Sequence, residues 1–287
     1  MIAVSDSSKL LVLGVTLVAS LLVALGTAQV VGLRSGGHAA ESVRFADPHL
    51  ESALRSLFWS SGAPFDAEHL AMIKEFRARG RGIEDLRGLE SCTELERLDL
   101  SDNKIGDIGP LSQLGELRTV YLANNLIRDL QPLAGLRWLA DLDLSGNRVE
   151  DVSPLANLTS MAHLDLSRNE IRDVGTLWEL QALITLDLSE NRITSVSSMP
   201  HVQPCAGPGS WAPLPARGKY VEISCADPTI DLSDNLIQDI APLLRWLDEV
   251  FAGHAVALSE NPLDLADGSA TREIIQKLEA RGIQVCY

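Results

Sequence analysis

A chain of 287 residues with 46% hydrophobic content has apolar material for one or two real cores, which excludes global disorder. A formal net charge of −15 argues against nucleic acid, because phosphate binding needs a basic surface, and favours a neutral or basic partner. Aromatic residues are only 5% of the chain, which suits stacked short elements better than an enzyme core around a large apolar pocket.

The N-terminus comes first and stands apart. Lys9 is followed by Leu10 to Leu33 without a charged residue, and Arg34 closes the run. About 20 apolar residues cross a bilayer as a helix, so residues 10–33 read as a membrane-spanning signal anchor. A cleaved signal peptide is the rival, because Gly26-Thr27-Ala28 has the small-residue spacing of a cleavage site. The chain is expected to be membrane-anchored and to face the extracytoplasmic side, or to be secreted after cleavage. Residues 34–46 read as a linker.

Residues 47–72 predict a helical N-terminal cap. Asp47-Pro48 is an N-cap with proline at N1, and Leu50, Leu54 and Leu57 form an apolar stripe. Asp66 caps a second short helix through Ala71.

Residues 73–264 repeat. Asn103, Asn125, Asn147, Asn169 and Asn191 follow one another at 22-residue intervals, and Asn235 and Asn261 continue the series beyond a gap. In Leu98-Asp99-Leu100 and its equivalents, apolar residues alternate with polar ones, as in a short strand with one buried face. Such a strand is too short to stand alone and must stack on its neighbours in a parallel sheet. The asparagine falls where the chain turns off the strand, so its amide can satisfy backbone groups otherwise buried unpaired. The segment Ile105-Gly106-Asp107-Ile108-Gly109-Pro110-Leu111 then returns the chain along the opposite side. There, Pro110, Pro132, Pro154 and Pro242 prevent strand pairing. The first repeat is degenerate, with Arg81 where asparagine is expected.

Asn235 lies 44 residues after Asn191, so the frame hides one extra repeat length. Residues 203–226 would put Cys205, Pro208 and Pro213 into apolar slots, and they read as an insertion. Cys205 and Cys225 bracket it and can close a disulfide in an oxidising compartment, while Trp211, Arg217 and Lys219 are its candidate contact residues. Cys92 stands in the slot filled by Leu114 and Leu136 and reads as a buried thiol. Residues 265–287 predict a helix–strand C-terminal cap.

The outward strand positions carry the functional candidates. One column reads Asp99, Tyr121, Asp143, Asp165, Asp187 and Asp231; the column two residues earlier reads Arg97, Thr119, Asp141, His163 and Thr185; a third, two residues later, reads Ser101, Ala123, Ser145, Ser167 and Ser189. One reading is an acidic recognition stripe anchored by Tyr121, with the carboxylates holding His163 charged. The other is soluble repeat filler. Trp138 and Trp178 are expected to pack between turns, and Trp246 to fill a core slot. No motif for nucleophilic, metal or phosphate chemistry is present in the sequence, so no catalytic residue, metal or cofactor is assigned.

The unit LERLDLSDNKIGDIGPLSQL, the leading segment FADPHLESALRSLF and the tail NPLDLADGSATREIIQKLEARGIQVCY resemble the internalin-like, 22-residue class of bacterial leucine-rich repeats. The resemblance covers about residues 45 to 287. It implies an α/β solenoid with a parallel sheet on the concave face, turns or 3-10 pieces on the convex face, and a cap at each end. It implies adhesion or surface recognition, in a family whose members bind diverse ligands; a protein partner is expected here, and no cofactor. Alternatives of other classes are a scaffolding envelope protein, an enzyme built on the insertion, and a carbohydrate binder.

Overall fold

The computed structural model describes residues 42–57, 65–180, 182–197, 229–246 and 255–287. These fall within one compact unit, residues 41–287. Residues 10–33 and the insertion, with Cys205, Trp211, Arg217, Lys219 and Cys225, lie outside the described residues, as do the side chains of Trp178 and Trp246. Among the described residues, no helix is long and apolar enough to cross a membrane.

The leading cap pairs two short strands, β1 (Ser42–Val43) and β2 (Phe65–Asp66), antiparallel. Helix α1 (Pro48–Arg55) starts at Asp47, whose Oδ1 accepts from the His49 and Leu50 amides. Its Oδ2 accepts from the Glu84 and Asp85 amides at 2.7 and 3.1 Å, which ties the cap to the first repeat. Burial works to raise the Asp47 pKa, but these four backbone bonds outweigh it and hold the carboxyl below its ordinary value. Helix α2 (Ala67–Ala71) is capped by Asp66. Leu50 and Leu54 are fully buried, but Leu57 is 45% exposed. The expected stripe stops short because α1 ends at Arg55, two residues before Leu57.

Each repeat then contributes one three-residue strand: β3 (Glu75–Arg77), β4 (Arg97–Asp99), β5 (Thr119–Tyr121), β6 (Asp141–Asp143), β7 (His163–Asp165), β8 (Thr185–Asp187), β9 (Thr229–Asp231), β10 (Ala255–Ala257) and β11 (Gln284–Cys286). They form one nine-stranded sheet in chain order, and every pairing in it is parallel. The central residue of each strand is buried (Phe76, Leu98, Val120, Leu142, Leu164, Leu186, Ile230, Val256, Val285), and the flanking side chains that are described point outward.

The returns explain the rest of the repeat sequence. Short 3-10 turns at Gly109–Gln113, Gln131–Leu133 and Ser153–Leu155 each take a proline in their first turn, where its missing N–H would have had no helical partner anyway. The preceding aspartates seed these turns. Asp107 Oδ1 accepts from the Gly109 amide at 2.7 Å, and Asp129 and Asp151 repeat the bond at 2.8 Å. Between sheet and returns, the leucine, isoleucine and valine slots of all repeats form one continuous core, in which Cys92 is fully buried.

The asparagines form a spine through that core. Asn147 Nδ2 donates to the Leu122 carbonyl of the preceding repeat and to Leu144 of its own, both at 2.9 Å, and its Oδ1 accepts from the Ile127 amide at 3.0 Å. The same pattern recurs at Asn103, Asn125, Asn169, Asn191, Asn235 and Asn261. The spine does not break at the 44-residue gap. Leu186 and Asp187 pair directly with Ile230 and Asp231, and the Ile193 amide donates to Asn235 Oδ1 at 3.0 Å. In the sheet, β8 and β9 are direct neighbours. The chain closes with helix α3 (Leu243–Trp246), helix α4 (Ala270–Ala280) and β11.

Candidate protein-binding face

Parallel register aligns the outward side chains into columns. Arg97, Thr119, Asp141, His163 and Thr185 face one another strand by strand, as do Asp99, Tyr121, Asp143, Asp165, Asp187 and Asp231. Neighbouring members are therefore about 4.8 Å apart along the backbone ladder. The structure brings together all nine concave-face candidates named from the sequence.

The third column plays a different part. Ser101, Ala123, Ser145 and Ser167 are buried, because the chain turns inward after each strand. The serines of this column hold the carboxylates. Asp165 Oδ1 accepts from the Ser167 amide at 3.0 Å and from its hydroxyl at 2.7 Å. Asp143 with Ser145 and Asp187 with Ser189 repeat both bonds. Among the described residues, Asp99 and Asp231 accept the amide bond alone, and the Ser101 hydroxyl is buried without a partner. One oxygen of each aspartate is thus committed to the strand end, which fixes the side chain.

Fixed carboxylates in one row repel. Burial pushes the Asp165 carboxyl up to about 6; the Ser167 bond opposes the rise, and Asp143 and Asp187 add to it. Asp141 is also raised by burial, against the hydrogen bond from Tyr121 and with the help of Asp143. His163 departs from expectation. Its carboxylate neighbours were expected to favour the imidazolium, but burial lowers its pKa, and its Nδ1 lies 2.9 Å from the Thr185 hydroxyl. Lost hydration outweighs the neighbouring charge, so the ring is neutral at pH 7 and does not compensate the acids.

The face is electrically uneven. Over β3 and β4 both signs occur, with Arg77 paired to Glu75, and Arg97 next to Asp99. From β6 to β9 the two outward columns hold five aspartates and no lysine or arginine. Among the described residues no cluster of three or more histidine, cysteine or acidic side chains could hold a metal ion.

Trp138 is a correction. It does not pack between turns but is 57% exposed beside the leading edge of β6, with the Arg118 guanidinium 6.0 Å from its ring centroid. One signal was available in the sequence: the equivalent positions are Glu94, Glu116, Ser160 and Ala182, so the repeat itself asks for no aromatic there.

Three leucine-rich-repeat models match the chain: "Leucine Rich repeat" over residues 91–109, "Leucine Rich repeats (2 copies)" over 115–157 and "Leucine rich repeat" over 139–193. Two similar solved structures come from Listeria monocytogenes. An internalin, InlF, is 24% identical with a TM-score of 0.65; the match covers 84% of this chain and 63% of that one. Internalin C2 is 25% identical with a TM-score of 0.61, over 78% of this chain and 91% of that one. No curated protein matches the sequence.

Proposed function

We propose that this chain, an internalin-like leucine-rich-repeat protein of bacterial type, is a non-catalytic module that recognises a protein partner on its sheet face. The observation that carries the reading is the pair of in-register columns from β4 to β9, a pre-organised row of polar side chains with Tyr121 set among them. The five aspartates over β6–β9 make the complementary partner surface basic. Arg97, Asp99, Tyr121, Asp141, Asp143, His163, Asp165, Asp187 and Asp231 are the contact residues. The insertion, closed by Cys205–Cys225, adds Trp211, Arg217 and Lys219. Residues 10–33 hold the module at a membrane, facing the extracytoplasmic side, or direct its secretion.

The serine bonds favour a second reading of the acids alone, in which they serve only the strand ends. Asparagine separates the two, because it keeps the acceptor oxygen and loses the charge. Affinity capture by the full-length chain is compared with capture by a variant carrying Asp143→Asn, Asp165→Asn and Asp187→Asn. A partner held by the parent and released by the variant supports recognition. Equal capture by both removes the acidic row from the binding account.

A further inference from the structure

The residues just ahead of the strands make a second row beside the sheet face. The Ala140 amide donates to the Arg118 carbonyl at 2.9 Å, the Ala162 amide to Ala140 at 2.8 Å, and the Ile184 amide to Ala162 at 2.8 Å. These bonds place Arg118, Ala140, Ala162 and Ile184 side by side at strand spacing, immediately ahead of β5 to β8. In the two earlier repeats the same row holds Lys74 and Glu96, which pair at 3.0 Å. At β6 the row therefore turns from charged to apolar.

Ala140, Ala162 and Ile184 are each partly exposed. Trp138 stands at the head of this ledge and is itself 57% exposed. The Arg118 guanidinium lies 6.0 Å from its ring centroid, a cation–π contact that favours this placement of the indole. Nothing in the repeat requires this arrangement: the ledge positions lie outside the buried core, and an exposed indole costs hydration. The ledge runs along the strands whose outward columns hold Asp141, Asp165 and Asp187 and no cation.

We infer that the Trp138–Ile184 ledge is the apolar half of a binding surface whose acidic half is the adjoining sheet face, and that it takes a basic protein segment with aliphatic side chains interleaved among its lysines or arginines. Charge complementarity with the acid columns supplies the basic half of that chemistry, and the ledge supplies the aliphatic half. The inference rests on the sheet-face reading above and adds what the partner must carry beyond charge. Leu126 and Leu236, exposed elsewhere at 41% and 52%, stand at positions occupied by Lys104, Arg148 and Arg192 in other repeats and are separated from one another by three strands. They serve as controls.

The test uses two synthetic peptides of equal length and charge, one alternating lysine with leucine and one alternating lysine with serine. Their affinities for the full-length chain are measured by fluorescence anisotropy. The expected result is a preference of about tenfold for the lysine–leucine peptide. Trp138→Ala and Ile184→Ser each reduce that preference to about twofold or less, with the lysine–serine affinity unchanged, while Leu126→Ser and Leu236→Ser keep it. Equal affinities in the parent, a preference that survives both ledge variants, or one lost equally in the control variants overturns the inference. The acidic face is read separately, from the lysine–serine peptide. Binding of that peptide that is insensitive to the triple asparagine variant overturns the acid half and not the ledge.

Discussion

The Tyr121 hydroxyl donates a 2.6 Å hydrogen bond to Asp141 Oδ2. The bond is diagonal across β5 and β6, since in register Tyr121 faces Asp143 and Asp141 faces Thr119. It stabilises the carboxylate form of Asp141, against the burial that raises its pKa, while Asp143 pushes the same way as burial. Tyr121→Phe removes the donor and keeps the ring. The Asp141 titration midpoint is expected to move further up, read by carboxyl-carbon NMR. A midpoint that stays put would show that the bond does not hold in solution.

Asp165 lies between Asp143 and Asp187 on neighbouring strands. Its carboxyl ionises at about 6 in the folded chain, against 3.8 for an ordinary aspartate. The folded state therefore binds a proton that the unfolded state has already released. The stability this supplies is complete below pH 3.8 and is lost as the pH rises through about 6. Asp165→Asn removes the dependence. Urea unfolding across about pH 4 to 7 should show the variant gaining on the parent as pH rises, by roughly 1–3 kcal/mol. Groups shifted the other way, such as Asp47, are common to both proteins and cancel in the difference. Parallel stability curves would refute the assignment.

Much of this was legible in the sequence, for a physical reason. A strand of three residues buries only its middle side chain, so the repeat needs Leu98, Val120, Leu142 and their equivalents in one phase, and the spine needs an asparagine at each turn. Both requirements leave a 22-residue period that survives varied filler. The columns follow from that period because parallel register carries it directly across the sheet. What was hidden depends on solvent and not on spacing. The sequence places His163 near acids but does not show the burial that strips its water. Alternation puts the column of Ser145 and Ser167 outward, whereas the chain turns in one residue earlier and buries it. Trp138 breaks the repeat at a position where no core rule applies, and its exposure follows from that. The left-handed residue before each spine asparagine was also invisible. Asp102, Asn124, Gly146, Arg168, Glu190, Asp234 and Glu260 all have positive φ, yet they share no single side-chain type, because the stacked backbone imposes the conformation over local preference.

At one of those positions the stacking also dictates the residue. Gly146 has φ +67°, and a Cβ there would come within 2.4 Å of Asn124 Oδ1. Relieving that contact means moving the Asn124 side chain, whose Nδ2 donates to Asp102 Oδ1 at 2.7 Å. Gly146→Ala should destabilise by about 1–2 kcal/mol, from left-handed strain plus the collision. Arg168→Ala, at the equivalent position with φ +56°, should change stability by no more than about 0.5 kcal/mol, since a Cβ is already accommodated there. Equal urea midpoints for the two variants would count against the collision.

The spine predicts a larger loss. Asn147 is 7% exposed and joins two repeats through Leu122, Leu144 and Ile127. Asn147→Ala leaves the buried Ile127 amide without its acceptor and takes one of two donors from each of the Leu122 and Leu144 carbonyls, which keep Asn125 Nδ2 and Asn169 Nδ2. At about 1–3 kcal/mol for one buried unsatisfied amide, with the two carbonyls weakened as well, the expected destabilisation is roughly 2–3 kcal/mol. Hydrogen exchange should show faster opening on both sides of the substitution, at Ile127 and at the β6 amides together. Exchange that quickens on one side only would mean the asparagine closes its own turn without coupling the repeats.

The cysteines offer a check on burial that needs no mutation. Cys92 is fully enclosed by the core, and burial pushes its thiol up to about 12, with Glu90 adding to the rise. Cys286 lies exposed at the end of β11. The thiolate is the form that alkylates, and reagent must also reach it, so burial suppresses reaction at Cys92 twice over. Native protein treated with iodoacetamide at neutral pH should label Cys286 and leave Cys92 unmodified until the chain is unfolded. Peptide mapping of the same sample without reductant tests the proposed Cys205–Cys225 bridge, because alkylated peptides from either residue would reject it. Early modification of Cys92 would mean that the leading repeats open far more readily than a continuous core allows, since the slot it fills is the one held by Leu114 and Leu136 deeper in the stack.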